Sequence, residues 1–274
     1  MAIFLNGALL DEADAQISIF DHGLTVGDGV FETAKVTGGV PFALSRHLQR
    51  LSRSAAGLGL PAPDIDAISA GAYAVLKASG SPDQARMRIT VTGGRGPLGS
   101  QRGGEPLTVL IALGELTTWT ESCDVVTVPW VRNERGALVG IKSTSYAENV
   151  RALAYAGGRG GSEAIFANTQ GDLCEGTGSN VFLVIGGELV TPPLSAGCLA
   201  GVTRGLVLEW FGGAERDVPM SALASASEAF LTSTTREVQP IRAVDGVELP
   251  EAPGPVTRKA AQVFSTHAAQ FPDP

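Results

Sequence analysis

Paired short segments of alternating polarity, each turning over on glycine, constrain this chain more than any other feature. "GVFETAKV" alternates before the turn "TGGV", "EAIFANTQGDLCEG" reverses at "QGD", "NVFLVIGGELVT" at "GG", and "RAVDGVEL" at an Asp-Gly pair. Period-two alternation marks half-buried strands, and short glycine-containing links close hairpins rather than helical crossovers. Further strands are expected at "AIFLNG", "AQISIFD", "ARMRITVT", "LTVLIAL", "CDVVTVPWV" and "AFLTST". Leu44, Leu48, Leu51, Ala55 and Leu58 fall on one face of a helix. A second helix covers 65–78 and stops at Gly80. Others are read at "SYAENVRALAYA", "GVTRGLVLEWF" and 255–269. Strands outnumber helices and hairpins join many of them, so an α+β, mostly antiparallel fold is expected over a doubly wound sheet.

A chain of 274 residues holds one large domain or two modest ones. The polar stretch "GELTTWTES" is the candidate boundary. It gives a small N-terminal domain over 1–113, a linker over 114–121 and a larger domain over 122–274. The net charge of −8 comes without any basic stripe, which argues against a nucleic-acid surface. No uninterrupted apolar run reaches membrane-spanning length, and the first residues lack the pattern of a signal peptide. Three cysteines and three histidines are scattered without metal-ligand spacing, so no metal site is expected. The thiols read as reduced, which suits a cytoplasmic location.

Few residues carry chemistry by local context alone. "GRGPLG" fits G-x-G-x-x-G in letters, but no helix follows it, so it reads as a loop rather than a dinucleotide site. The neighbours Asp21 and His22 read as a turn pair, because no serine lies in a nucleophile elbow. Lys142 follows the apolar run "ALVGI" and precedes Ser-Thr-Ser. Its amine is expected at the end of a buried strand, where desolvation would lower its pKa and suit a Schiff-base nucleophile. A lysine snorkelling out of a strand end fits the same letters. Glu175 opens "EGTGSN", a segment whose glycines allow a flat ligand to approach the backbone, or simply a turn. "LAGVTRG" is a glycine-led helix start with a hydroxyl at Thr203, and helix N-termini bind phosphate. Arg50 and the run Thr232, Ser233, Thr234 and Thr235 add a cation and further hydroxyls.

In their order these pieces resemble the class IV aminotransferases, the fold-type IV pyridoxal phosphate enzymes. The blocks that carry the resemblance are "DHGLTVGDGVFETAKV", "HLQRL", "IKSTSYAENVRA", "SEAIFANTQGDLCEGTGSNVFLV", "TPPLSAGCLAGVTRG" and "AFLTSTTREVQPI". The resemblance implies a two-domain α+β fold: a small N-terminal α/β domain and a larger one rich in antiparallel strands. It implies pyridoxal 5′-phosphate as cofactor, with Lys142 as the catalytic residue that forms the Schiff base and shuttles a proton. Glu175 is implied to pair with the pyridine nitrogen and Tyr146 to bond the ring's phenolic oxygen. Arg50, Val202, Thr203 and Thr234 are implied to hold the phosphate. A homodimer is implied as well.

The resemblance narrows the substrate less. The family includes D-amino acid and branched-chain aminotransferases, (R)-amine transaminases and aminodeoxychorismate lyase. "EGTGSNVF" is similar to the D-amino acid enzymes, whereas "FETAKV" and "TPPLSAGCLAG" are similar to the lyase. The Arg-x-His pair that holds the substrate carboxylate in D-amino acid enzymes is replaced by Leu98 and Ser100. Arg95 and Arg102 on the same loop, or Lys35, are the expected substitutes. Phe31, Thr33 and Thr235 complete the expected substrate contacts. The expected reaction moves an amino group between an amino acid, foremost a D-amino acid, and a 2-oxo acid.

Overall fold

The computed structural model describes residues 2–274. They form two compact units. The first contains the chain up to Thr117 together with Ile141–Tyr146 and Phe271–Pro274; the second contains Thr118–Gly140 and Ala147–Gln270.

The first unit is built on strands β1 (Ala2–Leu5), β2 (Ala8–Asp11), β3 (Gly29–Thr37), β4 (Val40–Pro41), β5 (Gln84–Thr92) and β6 (Thr108–Gly114). They form one sheet in the order β2-β1-β6-β5-β3-β4, and all its pairings are antiparallel. A short helix α1 (His22–Thr25) precedes β3, and helices α2 (Leu44–Leu58) and α3 (Ile65–Ala78) follow β4. Side chains alternate across a sheet. Val30, Ala34 and Val36 of β3 therefore join Leu44, Leu48, Leu51, Ile68 and Val75 of the helices in one core. Phe31, Thr33 and Lys35 lie on the opposite face. The start of α2 has no cap of its own, and the C-terminal segment provides one: Asp273 accepts from Ser45 N (2.9 Å) and Ser45 Oγ (2.6 Å).

One expected strand is absent. "AQISIFD" is irregular, with Ile17, Ile19 and Phe20 exposed. The reason lies upstream, where Asn6 and Gly7 both take positive φ (50° and 91°), the conformation of a two-residue hairpin turn. Their turn folds β2 onto β1, so the sheet edge is already occupied before residue 15.

The second unit is a nine-stranded sheet. Its strands are β7 (Cys123–Arg132), β8 (Glu163–Asn168), β9 (Leu173–Gly176), β10 (Asn180–Ile185), β11 (Glu188–Thr191), β12 (Ala214–Glu215), β13 (Glu228–Ser233), β14 (Glu237–Val244) and β15 (Val247–Glu248). The order is β12-β11-β10-β13-β14-β7-β8-β9, with β15 pairing β14. The hairpins read from the sequence are present: β8/β9, β10/β11 and β14/β15 pair antiparallel. β7 and β8 pair parallel, which demands a crossover. Helix α4 (Ala147–Gly157) lies in that crossover. Helices α5 (Val202–Trp210), α6 (Ala222–Ser225) and α7 (Pro255–Gln270) complete the unit. Buried Glu228 accepts from Val256 N (3.1 Å) and Thr257 N (2.7 Å), placing a carboxylate at the positive end of α7. Val125, Ile165, Val181, Leu183, Leu231 and Ile241 lead its largest core. Among the described residues no helix is long and apolar enough to cross a membrane.

Candidate functional site

The lysine singled out in the sequence does not end a buried strand. "ALVG" forms exposed turns, with Leu138 43 % and Val139 37 % accessible. Four apolar residues with no strand to pair with cannot satisfy their backbone in a core. Lys142 instead lies in a segment stitched to the start of β3 by its own small polar residues. Lys142 N donates to Ser54 Oγ (3.2 Å), and Lys142 O accepts from Phe31 N (2.9 Å). Thr144 N donates to Gly29 O (2.8 Å), while the hydroxyls of Thr144 and Ser145 both donate to Gly27 O (2.9 and 3.0 Å). The Ser-Thr-Ser run therefore fixes where the lysine backbone sits.

The half-buried Lys142 side chain meets aromatic rings. Its Nζ is 4.4 Å from the centre of the Phe31 ring and 5.9 Å from that of Tyr146, and the two rings pack edge to face at 5.2 Å. A second cation, Arg88, stands 3.3 Å from the Phe31 centre. Arg88 is accessible to solvent as a residue. Desolvation of its guanidinium by surrounding protein nevertheless draws its pKa down to about 10, so it stays charged near neutrality. Sheet register adds to this cluster: Thr33 pairs with Arg88 and Lys35 with Arg86. Like charges opposite one another are unfavourable in a sheet, and three cations on one face form a surface suited to an anion. Arg86 and Arg88 escaped the sequence reading, although their period-two spacing in "ARMRITV" placed them on one face.

Arg50 lies on the helix-facing side of the sheet with Glu32, and both are buried. Arg50 grips the Glu32 carboxylate with Nε (2.7 Å) and one terminal nitrogen (2.8 Å). His47 Nδ1 lies 2.7 Å from the same carboxylate. Burial by itself would raise the Glu32 pKa, but the Arg50 charge and the hydrogen bonds pull it down to about 2. Burial also lowers the His47 pKa against the pull of Glu32, with Arg50 and Lys142 adding to that lowering. The neutral imidazole then carries its proton on Nδ1, because an ionised carboxylate only accepts.

The two loop arginines lie elsewhere. Arg102 donates to both Asp28 oxygens (2.7 and 2.6 Å) and to Leu58 O (2.9 Å), which ties its loop to the end of α2. Arg95 lines a cavity of about 460 Å³ with Phe4, Asp64, Ile68 and Leu107, away from the face that bears Phe31, Thr33 and Lys35. His22 is buried near the same loop, with Nε2 2.9 Å from Pro97 O.

In the second unit Glu175 and the start of α5 are directly linked. Glu175 Oε2 accepts from Leu199 N (2.9 Å). Its Oε1 lies 3.3 Å from Arg132 Nε, as a charge contact rather than an aligned hydrogen bond. The Arg132 guanidinium covers the Phe166 ring at 4.1 Å and also bonds Asn149. Asn180 Nδ2 donates to Leu199 O (2.9 Å). Asn180 also presses on Gly201, where an added Cβ would fall 2.0 Å from its Oδ1. A side chain at this cap of α5 would have to displace the Asn180 amide, and the glycine leaves the helix without a side-chain cap. The first-turn N–H groups at Val202 and Thr203 have no acceptor within the helix, an arrangement that suits phosphate. Thr203 is buried, while Thr234 and Thr235 sit half-buried in the turn between β13 and β14. Arg132 and Asn180 were missed in the sequence; Asn180 was visible as the last letter of "EGTGSN".

Comparison with known proteins identifies the family. The chain is 35 % identical over 284 residues to a Methanocaldococcus jannaschii protein named "Putative branched-chain-amino-acid aminotransferase", covering 96 % of this chain and 95 % of that one. It is 30 % identical to the D-alanine aminotransferase of Bacillus licheniformis, covering 94 % of each. Its fold superposes on the branched-chain aminotransferase of Thermoproteus uzoniensis, solved with norvaline, with a TM-score of 0.92 at 30 % identity, covering 99 % of this chain and 97 % of that one. Residues 29–244, from the first residue of β3 to the last of β14, match the family model for amino-transferase class IV. A match of that extent leaves one assignment: this chain belongs to the class IV, pyridoxal phosphate-dependent aminotransferases.

Proposed function

We propose that the protein is a transaminase that moves an amino group between an amino acid and a 2-oxo acid, using pyridoxal 5′-phosphate. The observation that carries this reading is the amine of Lys142, set by backbone bonds on both sides against the Phe31 and Tyr146 rings. The bound cofactor supplies the electron sink that lets a Cα–H bond break. Lys142 provides the amine to which it attaches, then takes and returns the proton at Nζ. Tyr146 donates a hydrogen bond from its hydroxyl. Arg50, the N–H groups at Val202 and Thr203, and the Thr203 and Thr234 hydroxyls bind phosphate oxygens. Glu175 accepts a hydrogen bond from the ring nitrogen and keeps that nitrogen protonated, with Arg132 as the carboxylate's counter-charge. The uncapped start of α5 supports this assignment on chemistry alone, since its donors suit a phosphate.

For the substrate, Phe31, Thr33, Lys35 and Thr235 are assigned as contacts, and Arg88 joins them as the cation nearest the Phe31 ring. Arg95 stays in the assignment only as a residue to be tested, given the cavity it lines. D-amino acids are the proposed donors, from the likeness of "EGTGSNVF" to the enzymes that use them. L-branched-chain amino acids are the second reading, favoured by the 35 % identical relative. The enzyme is proposed to work as a cytoplasmic homodimer; exposed Ile17, Ile19 and Leu24 support the association.

A donor panel decides between these readings. It pairs D-alanine, L-leucine and (R)-1-phenylethylamine each with 2-oxoglutarate, and adds aminodeoxychorismate alone. Turnover with D-alanine well above L-leucine is expected. The reverse order installs the branched-chain reading, and pyruvate release from aminodeoxychorismate without amino transfer overturns transamination in favour of the lyase. Elution at the mass of a dimer in light scattering is expected, and a monomer rejects the assembly.

A further inference from the structure

A buried carboxylate in the second unit has no part in the roles assigned above. Glu163, the first residue of β8, is 2 % exposed. Its Oε1 accepts from Ala164 N (3.0 Å), from Thr177 N (3.1 Å) and from the Thr177 hydroxyl; Oε2 accepts from Ser179 Oγ (3.0 Å). Three of these four bonds reach the loop that follows Glu175. That loop is shaped around Glu163: a Cβ on Gly176 would fall 2.3 Å from Ser179 Oγ and 3.2 Å from Glu163 Cδ. A side chain at this position would have to push the Ser179 hydroxyl off the carboxylate.

On its other side Glu163 faces Arg236, whose terminal nitrogen lies 3.7 Å from Oε2. Both side chains are almost wholly buried. Arg236 also donates to Ser162 O (3.1 Å) and to Gln239, and it lies 3.7 Å from the centre of the Trp119 ring. Trp119 Nε1 donates to Thr235 Oγ1 (3.3 Å), and Gln239 Nε2 donates to Thr120 O (2.8 Å). One connected network therefore runs from the loop after Glu175, through Glu163 and Arg236, to the turn holding Thr234 and Thr235.

We propose that Glu163 and Arg236 are positioning residues, a buried ion pair that sets the carboxylate of Glu175 and the hydroxyls of Thr234 and Thr235 in one fixed arrangement. A buried pair of this kind is a poor source of stability, because desolvation cancels much of its attraction. What it supplies is geometry, since each of its bonds has one direction and all four to Glu163 are buried. The inference rests on the proposed cofactor roles of Glu175 and Thr234.

The test compares wild type, Glu163→Gln and Ser179→Ala. Three quantities are measured for each: the pyridoxal phosphate dissociation constant by fluorescence, the kcat/KM split in transamination, and the melting temperature of the cofactor-free protein. Glu163→Gln keeps the shape but turns an acceptor into an NH2 group facing Ser179 and Arg236. It is expected to weaken cofactor binding about tenfold, the worth of one charge-assisted hydrogen bond, and to lower kcat more than it raises KM. Ser179→Ala keeps the ion pair and is expected to weaken binding about threefold. It still decides the question should Glu163→Gln fail to fold. Melting temperatures that fall while cofactor affinity and kcat stay within twofold of wild type overturn the inference and leave a purely structural pair. Wild-type protein that binds no pyridoxal phosphate overturns the cofactor assignment itself, a distinct result.

Discussion

The two units hold charge in opposite ways. The first collects side-chain cations on an antiparallel sheet and its flanking helix: Lys35, Arg86 and Arg88 on one face, with Arg50 bound to Glu32 on the other. The second offers groups at the ends of strands and helices: the Glu175 carboxylate, the start of α5 without a side-chain cap, and the threonine hydroxyls of the turn after β13. The difference teaches what each can contribute. A sheet face fixes long cationic side chains by cross-strand register, whereas loops between strands can present N–H groups that no helix or ladder consumes. The first unit is thus suited to the reactive amine and to anionic substrate, and the second to anion capture by the main chain.

The sharpest way to break the contrast is at the amine. Lys142→Ala is expected to lower turnover by about a thousandfold and to abolish the visible absorption band of the protein–cofactor complex. An active Lys142→Ala protein with an unchanged spectrum would remove the first unit's claim to the chemistry. Next comes the buried pair in that unit. Glu32→Gln leaves the Arg50 charge without its partner and is expected to cost about 3 kcal/mol in stability, measured by urea denaturation followed by circular dichroism. All three tryptophans belong to the second unit, so their fluorescence alone would understate the loss. A midpoint equal to wild type sinks the account of Arg50 as a paired, buried cation.

Acid titration sharpens the same point with a smaller effect. The Glu32 pKa is depressed in the folded state to about 2 from an ordinary 4.5. Its contribution is therefore complete above pH 4.5 and is lost as pH falls from there towards 2. The His47 pKa is also lowered in the folded state, so its contribution is present above 6.5 and begins to fade below it. Stability of the cofactor-free protein should decline from pH 6.5 downward and more steeply below 4.5, with the steep part flattened in Glu32→Gln. Identical slopes for the two proteins would exclude Glu32 as the source. The smallest expected effect belongs to the second unit, which holds all three cysteines. Cys123, Cys174 and Cys198 are free and buried, and burial pushes the Cys123 and Cys198 thiols up to about 12 and that of Cys174 higher still. Iodoacetamide at pH 8 should label none of them before denaturation; labelling of native protein would show that this unit opens.

Much of the architecture was legible because it depends on short-range periodicity. The alternation in β3, the glycine turns of β10/β11 and β14/β15, and the apolar face of α2 are written in neighbouring letters. "AQISIFD" misled because alternation states which residues would share a face, not whether a partner strand remains available. "ALVGI" misled for a related reason: apolar letters do not by themselves confer burial, and these turn out to be exposed.

The sequence by itself determined the residue types and their order: the lysine, the hydroxyl run after it, the acid before "GTGSN", and the glycine-led helix. These are local properties, fixed by side-chain chemistry and turn propensity. Only the tertiary structure decided that Arg50 is bound to Glu32, that Arg88 joins Lys142 at the Phe31 ring, and that Arg102 is tied to Asp28. It alone brought Glu163 beneath a loop fourteen residues further on. Charge pairing depends on distance in space, and a strand register or a helix packed on a sheet sets that distance among residues far apart in the chain.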